Sequence, residues 1–226
     1  IPDFNVKASR CHGIEIPPFI YPQEHAIWVN TSTPETQEGG HYYSNDGEIE
    51  AIYKVIKTLT GHPSFMEYQN FMKTQKEENQ EIGVITFYGP QMIKLGKLLY
   101  PELTPKEWKE FDKYKFKNEF NIPFRINTVD KFQGMEKNIV IISTVRSDKQ
   151  LSINPDRKIT ERANTNYPKA LGFARELQRI NVGFSRAKRL LIVVGNEKHF
   201  SHKPEYQQAI QKMHRIDIAQ IQNLIK

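Results

Sequence analysis

Asn127-Thr-Val-Asp-Lys-Phe-Gln-Gly-Met-Glu-Lys-Asn-Ile-Val-Ile-Ile-Ser-Thr-Val-Arg146 is the stretch whose reading decides the fold. It predicts a short strand over Phe124–Thr128, a turn around Gly134, and a second strand in the apolar run Ile139–Ile142, closing at Val145. An unbroken β-branched run between turn residues suits a strand buried on both faces, as in a parallel sheet covered by helices. The intervening Asp130–Glu136 segment sets polar groups around a glycine, where the backbone can turn sharply or approach a ligand. Loops at strand ends of open α/β sheets are where ligands bind, so this loop is the first functional candidate.

The same reading extends in both directions. Ala26–Asn30, Ile82–Tyr88 and Leu190–Gly195 read as further strands. Helices are expected over the stretch capped by Asn45 or Asp46, where Ile49, Ile52, Val55, Ile56 and Leu59 recur at helical spacing. They are also expected over Ser64–Lys76, Gln91–Tyr100, Thr104–Phe120, Ala170–Ala187 and Lys203–Lys226. Strands alternating with helices predict an α/β fold with a parallel, helix-covered sheet. Residues 1–24, with four prolines, read as an extended arm or linker, 25–200 as the main domain and 201–226 as a C-terminal helical extension. Arg146–Lys169 reads as a long polar loop.

Composition narrows the classes. A chain of 226 residues with 38% hydrophobic and 26% charged residues builds one large domain with a charged surface, at a mean hydropathy of −0.62. No apolar run approaches the roughly 20 residues that span a bilayer, and no secretory signal opens the chain. The single cysteine, Cys11, excludes an internal disulfide and a Cys-rich zinc site, and a reducing, intracellular setting is expected. A net charge of +6 permits a nucleic-acid partner without demanding one. The opening Ile1-Pro2-Asp3 is not a start methionine, and a fragment of a larger protein is expected.

Two segments carry candidate chemistry. Gly89-Pro-Gln-Met-Ile-Lys-Leu-Gly-Lys-Leu98 has the outline of a phosphate loop, but more residues separate its glycines than the motif's four, and Leu98 stands where a Ser/Thr reaches magnesium. Its spacing is helical, so the chain has no phosphate cradle of its own. Gln178-Arg-Ile-Asn-Val-Gly-Phe-Ser-Arg-Ala-Lys-Arg189 concentrates cations before a buried strand. Arg179 and Arg186, seven residues apart, would share one helix face, and planar, bidentate arginine forks suit polyphosphate. A solvated basic helix face is the alternative. Trp108, Phe111, Tyr114 and Phe116 form either a stacking platform for bases or, more simply, a core-facing helix side. His62, His199, His202 and His214 have no metal-ligand spacing.

Val129-Asp-Lys-Phe-Gln-Gly-Met-Glu136 with Ile139–Arg146 resembles helicase motif V and its extension. Arg179-Ile-Asn-Val-Gly-Phe-Ser-Arg-Ala-Lys188 resembles motif VI, and Ile82–Tyr88 with Gln91 resembles motif IV. In this order the three are similar to the second RecA-like domain of superfamily 1 helicases, over roughly residues 26–198. The branch is the one containing the nonsense-mediated-decay helicase and senataxin-like enzymes, where Ser44-Asn-Asp-Gly-Glu48 also recurs before a helix. Phe87 stands where the family usually has Pro, and Gly183 and Phe184 where it often has Ala or Leu. Motifs I, Ia, II and III, which belong to the first RecA-like domain, are missing.

The resemblance implies an ATP-dependent helicase or translocase of which this chain is the C-terminal motor domain. Arg186 is implied as the arginine finger, with Arg179 assisting at the phosphates or structuring the motif. Gln133, Gly134 and Glu136 are implied at the nucleotide, with an ion pair to Arg179 or Lys137 as the alternative for Glu136. Tyr88 is implied to stack on adenine, or else to cap its strand. Thr86, Thr128 and Arg146 are implied to meet the backbone of a single-stranded DNA or RNA. ATP and magnesium are expected to be held mainly by the first RecA-like domain of the same polypeptide, so the isolated chain is expected to be inactive. The rival reading is a degenerate RecA-like module retained for nucleic-acid binding or scaffolding.

Overall fold

The computed structural model describes residues 11–40, 42–74, 80–104, 107, 114–147 and 171–224. Its frame is a parallel six-stranded sheet in the order β5-β4-β6-β7-β1-β8, formed by β1 (Ala26–Asn30), β4 (Ile82–Thr86), β5 (Phe124–Thr128), β6 (Lys137–Ser143), β7 (Ala187–Gly195) and β8 (His214–Asp217). A short antiparallel hairpin pairs β2 (Thr36–Gln37) with β3 (Tyr43–Ser44). Helices cover both faces: α1 (Asp46–Gly61), α2 (Pro63–Thr74), α3 (Gly89–Leu99), α4 (Leu177–Phe184), α5 (Glu197–Phe200), α6 (Pro204–Gln211) and α7 (Ile218–Gln222). This is an α/β, RecA-like arrangement.

Period-two alternation divides the central strands between two cores. Ile27, Val84, Ile139, Ile141, Leu190 and Ile192 face α1, α2, α3 and α7. Trp28, Ile85, Val140, Ile142, Leu191 and Val193 face α4, α5 and α6. All seven residues of β6 are buried, as its β-branched run requires. A Cβ on Gly183 would stand 3.4 Å from the Ile142 side chain, an ordinary contact distance, so the packing of α4 on the sheet does not demand glycine there.

Several expectations change. The described part of the N-terminal segment is packed rather than extended: Ile14, Ile16, Phe19 and Ile20 are buried in the α1 core. Their spacing follows no regular period; apolar burial and a tight Ile16–Ile20 turn with paired backbone hydrogen bonds (2.8 and 2.9 Å) hold them. The helix expected from Lys203 onward is a helix, a strand and a helix, with β8 hydrogen-bonded to β1 at the sheet edge. The helix expected over Ala170–Ala187 is a 3-10 turn at Gly172–Arg175 followed by the shorter α4. Of the expected aromatic helix, Trp108 and Phe111 lie outside the described residues, Tyr114 is helical, and Phe116 stands exposed in the turn after it. Most of the expected loop after Arg146 also lies outside them. His199 is a buried packing residue against Phe200, and His214 sits in β8 beside Pro18 and Glu24.

Candidate functional site

The expected site residues fall at two ends of one sheet face. At the N-terminal end of β6 and β7, Lys137 donates its amide to the Arg186 carbonyl at 2.9 Å. This places Gln133, Gly134 and Glu136, which immediately precede β6, beside Arg186. All three are exposed, and Gly134 takes the left-handed conformation (φ 82°) with open space where a Cβ would stand. The backbone, not crowding, is what asks for glycine there. Glu136 forms neither of its alternative ion pairs: Lys137 pairs with Glu81 at 2.5 Å, and Arg179 pairs with Asp130 and Glu176 at 2.9 Å each.

The two arginines do not share a helix face, because α4 ends at Phe184 and Arg186 lies in the turn before β7. Ser185 closes the helix, its amide donating to Asn181 and Gly183. Arg179 grips both Asp130 carboxylate oxygens (2.9 and 3.2 Å) and lies over the Phe173 ring at 4.9 Å. It ties the turn at Asp130 to α4. Arg186 donates to the Val182 carbonyl (2.9 Å) and the Ser185 hydroxyl (2.8 Å), both neutral. Among the described residues it meets no carboxylate. Arg189 is in β7 and donates to the Cys11 carbonyl at 3.0 Å.

At the C-terminal edge of the sheet, Tyr43, Tyr88, Arg146, Phe173, Arg175 and Glu176 line a cleft of about 390 Å³ with Gly172. Tyr88 is only 3% exposed; its ring meets Tyr43 edge-on at 5.5 Å and Phe173 at 5.4 Å. Its hydroxyl accepts from Arg146 and from the Phe173 amide, both at 3.2 Å. Tyr88 therefore anchors the aromatic cluster, while Phe173, 42% exposed, offers a ring to the cleft. Gly172 (φ 53°) is required here, because a Cβ would collide with the Tyr88 hydroxyl and Arg146.

The three residues expected on the nucleic-acid track are not equivalent. Thr128 is partly exposed at the end of β5. Thr86 is fully buried, and its hydroxyl has no hydrogen-bond partner, so it is not on the surface as expected. Arg146, also expected at the surface, is 6% exposed. It binds Glu35 through two hydrogen bonds (2.9 and 3.0 Å) and stacks over Tyr43 at 4.0 Å. Its fork is already filled by a carboxylate that stands 111 positions away in sequence, a pairing invisible to motif reading.

Behind this cleft, Glu48 is fully buried and accepts from the Ser143 hydroxyl (2.6 Å), the Thr144 hydroxyl (3.0 Å) and the Val145 amide (2.8 Å). Burial pushes its carboxyl up from 4.5 to about 7, against the lowering effect of those three hydrogen bonds. Asn45 caps α1, and Gln91 binds Asn45 and Ser143. The Asn-x-x-Glu spacing at a helix start has the form of a capping box. Here the Asn45 amide goes to Gln91 instead, freeing Glu48 for the end of β6.

A family model for the AAA domain matches residues 5–198. The chain belongs to this AAA-domain family. Its relatives carry helicase names and support a superfamily 1 helicase family. The DNA polymerase alpha-associated DNA helicase A of Saccharomyces cerevisiae is 31% identical over 178 residues, covering 75% of this chain and 19% of that protein. Helicase SEN1 of the same yeast is 29% identical over 156 residues, 69% of this chain and 5% of that protein. Human senataxin, a helicase by name, is 28% identical over 169 residues, 75% of this chain and 5% of that protein. The chain thus spans less than a fifth of the length of these relatives. Among the described residues, no helix is long and apolar enough to cross a membrane.

Proposed function

We propose that this AAA domain is the second RecA-like half of an ATP-driven helicase motor, working on single-stranded DNA or RNA with a first RecA-like half in the same polypeptide. Arg186 is the cation that meets charge developing on the γ-phosphate, and Gln133, Gly134 and Glu136 line the same wall. The sheet edge around Thr128 faces the strand; the aromatic cluster anchored by Tyr88 stands at that same end, the length of β6 away from Arg186, too far for one nucleotide to reach both. The observation that carries this reading is the state of Arg186: it is oriented by a carbonyl and a hydroxyl and has no carboxylate to neutralise it among the described residues. Among those residues no group of three His, Cys, Asp or Glu side chains could hold a metal ion. The isolated chain should neither hydrolyse ATP nor unwind.

The test is steady-state ATPase of the full-length protein at saturating nucleic acid. Arg186→Ala should lower kcat by about 10³–10⁵ with nucleotide binding largely kept, and Lys should rescue poorly because a point charge lacks the planar fork. The exposed Lys188 two positions on gives the control for simple loss of charge. Equal activity for Arg186→Ala and Lys188→Ala would refute the assignment.

A further inference from the structure

The cleft at the Thr128 end of the sheet is walled by three aromatic rings, Tyr43, Tyr88 and Phe173, and its volume of about 390 Å³ is that of a small-molecule pocket. Its charges restrict what can enter. Arg146 is bound by Glu35 at 2.9 and 3.0 Å, and Glu176 by Arg179 at 2.9 Å. A phosphate inside would meet a cation already paired and a carboxylate that repels it, so a neutral occupant is favoured. The Tyr88 hydroxyl is already used by Arg146 and the Phe173 amide, both at 3.2 Å. What the cleft offers is a flat face, the Phe173 ring, 42% exposed. Arg179 lies over that ring at 4.9 Å without lining the cleft, so it backs the ring from outside.

The same arginine ties the ring to the strand-facing edge. It binds Asp130, two residues after Thr128, at 2.9 and 3.2 Å. Across the sheet Thr128 pairs with Thr86, and Tyr88 stands two residues beyond Thr86. The cleft and Thr128 are thus separated by one strand spacing and two residues, on the order of 8 Å. Arg175, exposed at the lip of the cleft, meets no carboxylate among the described residues.

We propose that this cleft is a nucleobase subsite of the single-strand track, in which Phe173 stacks one base of the passing strand and Arg175 meets a phosphate beside it. The assignment rests on the single-strand reading proposed above. A neutral, planar base suits a cleft whose interior charges are paired, while the polyanionic backbone stays at the lip. Stacking on an aromatic face needs no fixed hydrogen bond to the base edge, so the subsite accepts any base.

Equilibrium binding by the full-length protein tests this, with single strands of DNA and of RNA, each beside a matching strand that lacks its bases. Phe173→Ala should weaken binding of the complete strand about tenfold, as loss of a base–aromatic stack does, and leave the base-free strand unchanged. Phe173→Trp should stay near wild type, since it keeps a flat face. Arg175→Ala should weaken complete and base-free strands alike and reduce the slope of log affinity against log salt by about 0.7. KM for ATP at saturating strand should not move in Phe173→Ala.

A residue that merely held the fold would lower binding of both kinds of strand. Equal loss on both in Phe173→Ala, or no loss on the complete strand, overturns the subsite, and an unchanged salt slope in Arg175→Ala overturns the phosphate contact. A raised KM for ATP with strand affinity kept would make adenine the occupant and overturn the subsite as well. Should Phe173→Ala not fold, Phe173→Leu carries the same comparison, because leucine fills the space without a flat face. A wild-type protein that binds no single strand refutes the function proposed above, and the subsite falls with it. Wild-type binding that Phe173→Ala leaves intact removes the subsite alone.

Discussion

Replacing Glu48 by Gln should change how the stability of this domain depends on pH. Burial raises the folded-state value of Glu48 from 4.5 to about 7, outweighing hydrogen bonds from Ser143, Val145 and Thr144, with the Glu35 charge adding to the rise. Between these two values the folded state holds a proton that the unfolded state has released. Stability therefore falls as pH rises from 4.5 through 7, and is flat in this group below and above that window. One pH unit is worth about 1.4 kcal/mol, so the full displacement is on the order of 3 kcal/mol. In a domain of this size that corresponds to roughly 6–12 °C in Tm.

The wild-type profile alone will not isolate the effect, because His12 works against it. Burial lowers His12 from 6.5 to about 4, with the charges of His25 and Arg189 acting the same way and its hydrogen bond to the Glu24 carbonyl opposing. A histidine kept neutral in the folded state contributes stability above 6.5 that is lost as pH falls toward 4. The two slopes overlap and oppose. The measurement is therefore the difference between Glu48→Gln and wild type in urea denaturation at half-unit steps from pH 4.5 to 8. That difference should move in favour of Gln by about 3 kcal/mol across the window. Parallel curves, with a constant offset, would show that Glu48 titrates normally and that its burial is not maintained in solution.

The complementary variant, His12→Phe, should remove the loss of stability between pH 6.5 and 4 and leave Glu48's slope uncovered; melting curves at pH 4.5 and 7 check this. Gly172→Ala should destabilise by at least about 1 kcal/mol because it combines a positive φ with a collision at the Tyr88 hydroxyl. Tyr88→Phe should relieve part of that loss in a double-mutant cycle, and strict additivity would refute the contact. Asp130→Ala in the full-length protein should reproduce most of the ATPase defect of Arg179→Ala, since both release the same staple. An Arg179 defect far larger than that of Asp130 would instead indicate direct work at the phosphates.

The strands that sequence reading recovers are those whose physics is local. β4, β6 and the apolar end of β7 are apolar runs buried on both faces, and Asn45 signals its helix by its own chemistry. β8 was hidden because it reads His-Arg-Ile-Asp: it lies on the sheet edge and buries only Ile216. The N-terminal segment was hidden because its prolines mask the apolar residues it buries. The misplaced helix end at Arg186 has a local cause that was legible in principle, since Gly183 and Ser185 weaken a helix and the β-strand begins at once. The pairing of charges was not legible at all. Arg146 finds Glu35 and Arg179 finds Asp130 only after the sheet has brought distant turns together, and no spacing rule encodes that.

That pairing is also what separates three arginines that look alike in the sequence. A guanidinium already bound to a carboxylate must give up that partner before it can take a phosphate oxygen, so its attraction for the phosphate is offset by the pair it loses. Arg146 and Arg179 are in this position: they fix the cleft and the motif V turn, and their loss should act through geometry. Arg186 spends its hydrogen bonds on a carbonyl and a hydroxyl, which orient the side chain without cancelling its charge. Transition-state stabilisation is greatest when the charge is aimed beforehand and needs no reorganisation as the reaction proceeds. An arginine held by neutral acceptors satisfies both conditions. The loss of Arg186 should therefore appear in kcat, whereas losses at Arg146 and Arg179 should act through the geometry that their carboxylate pairs hold.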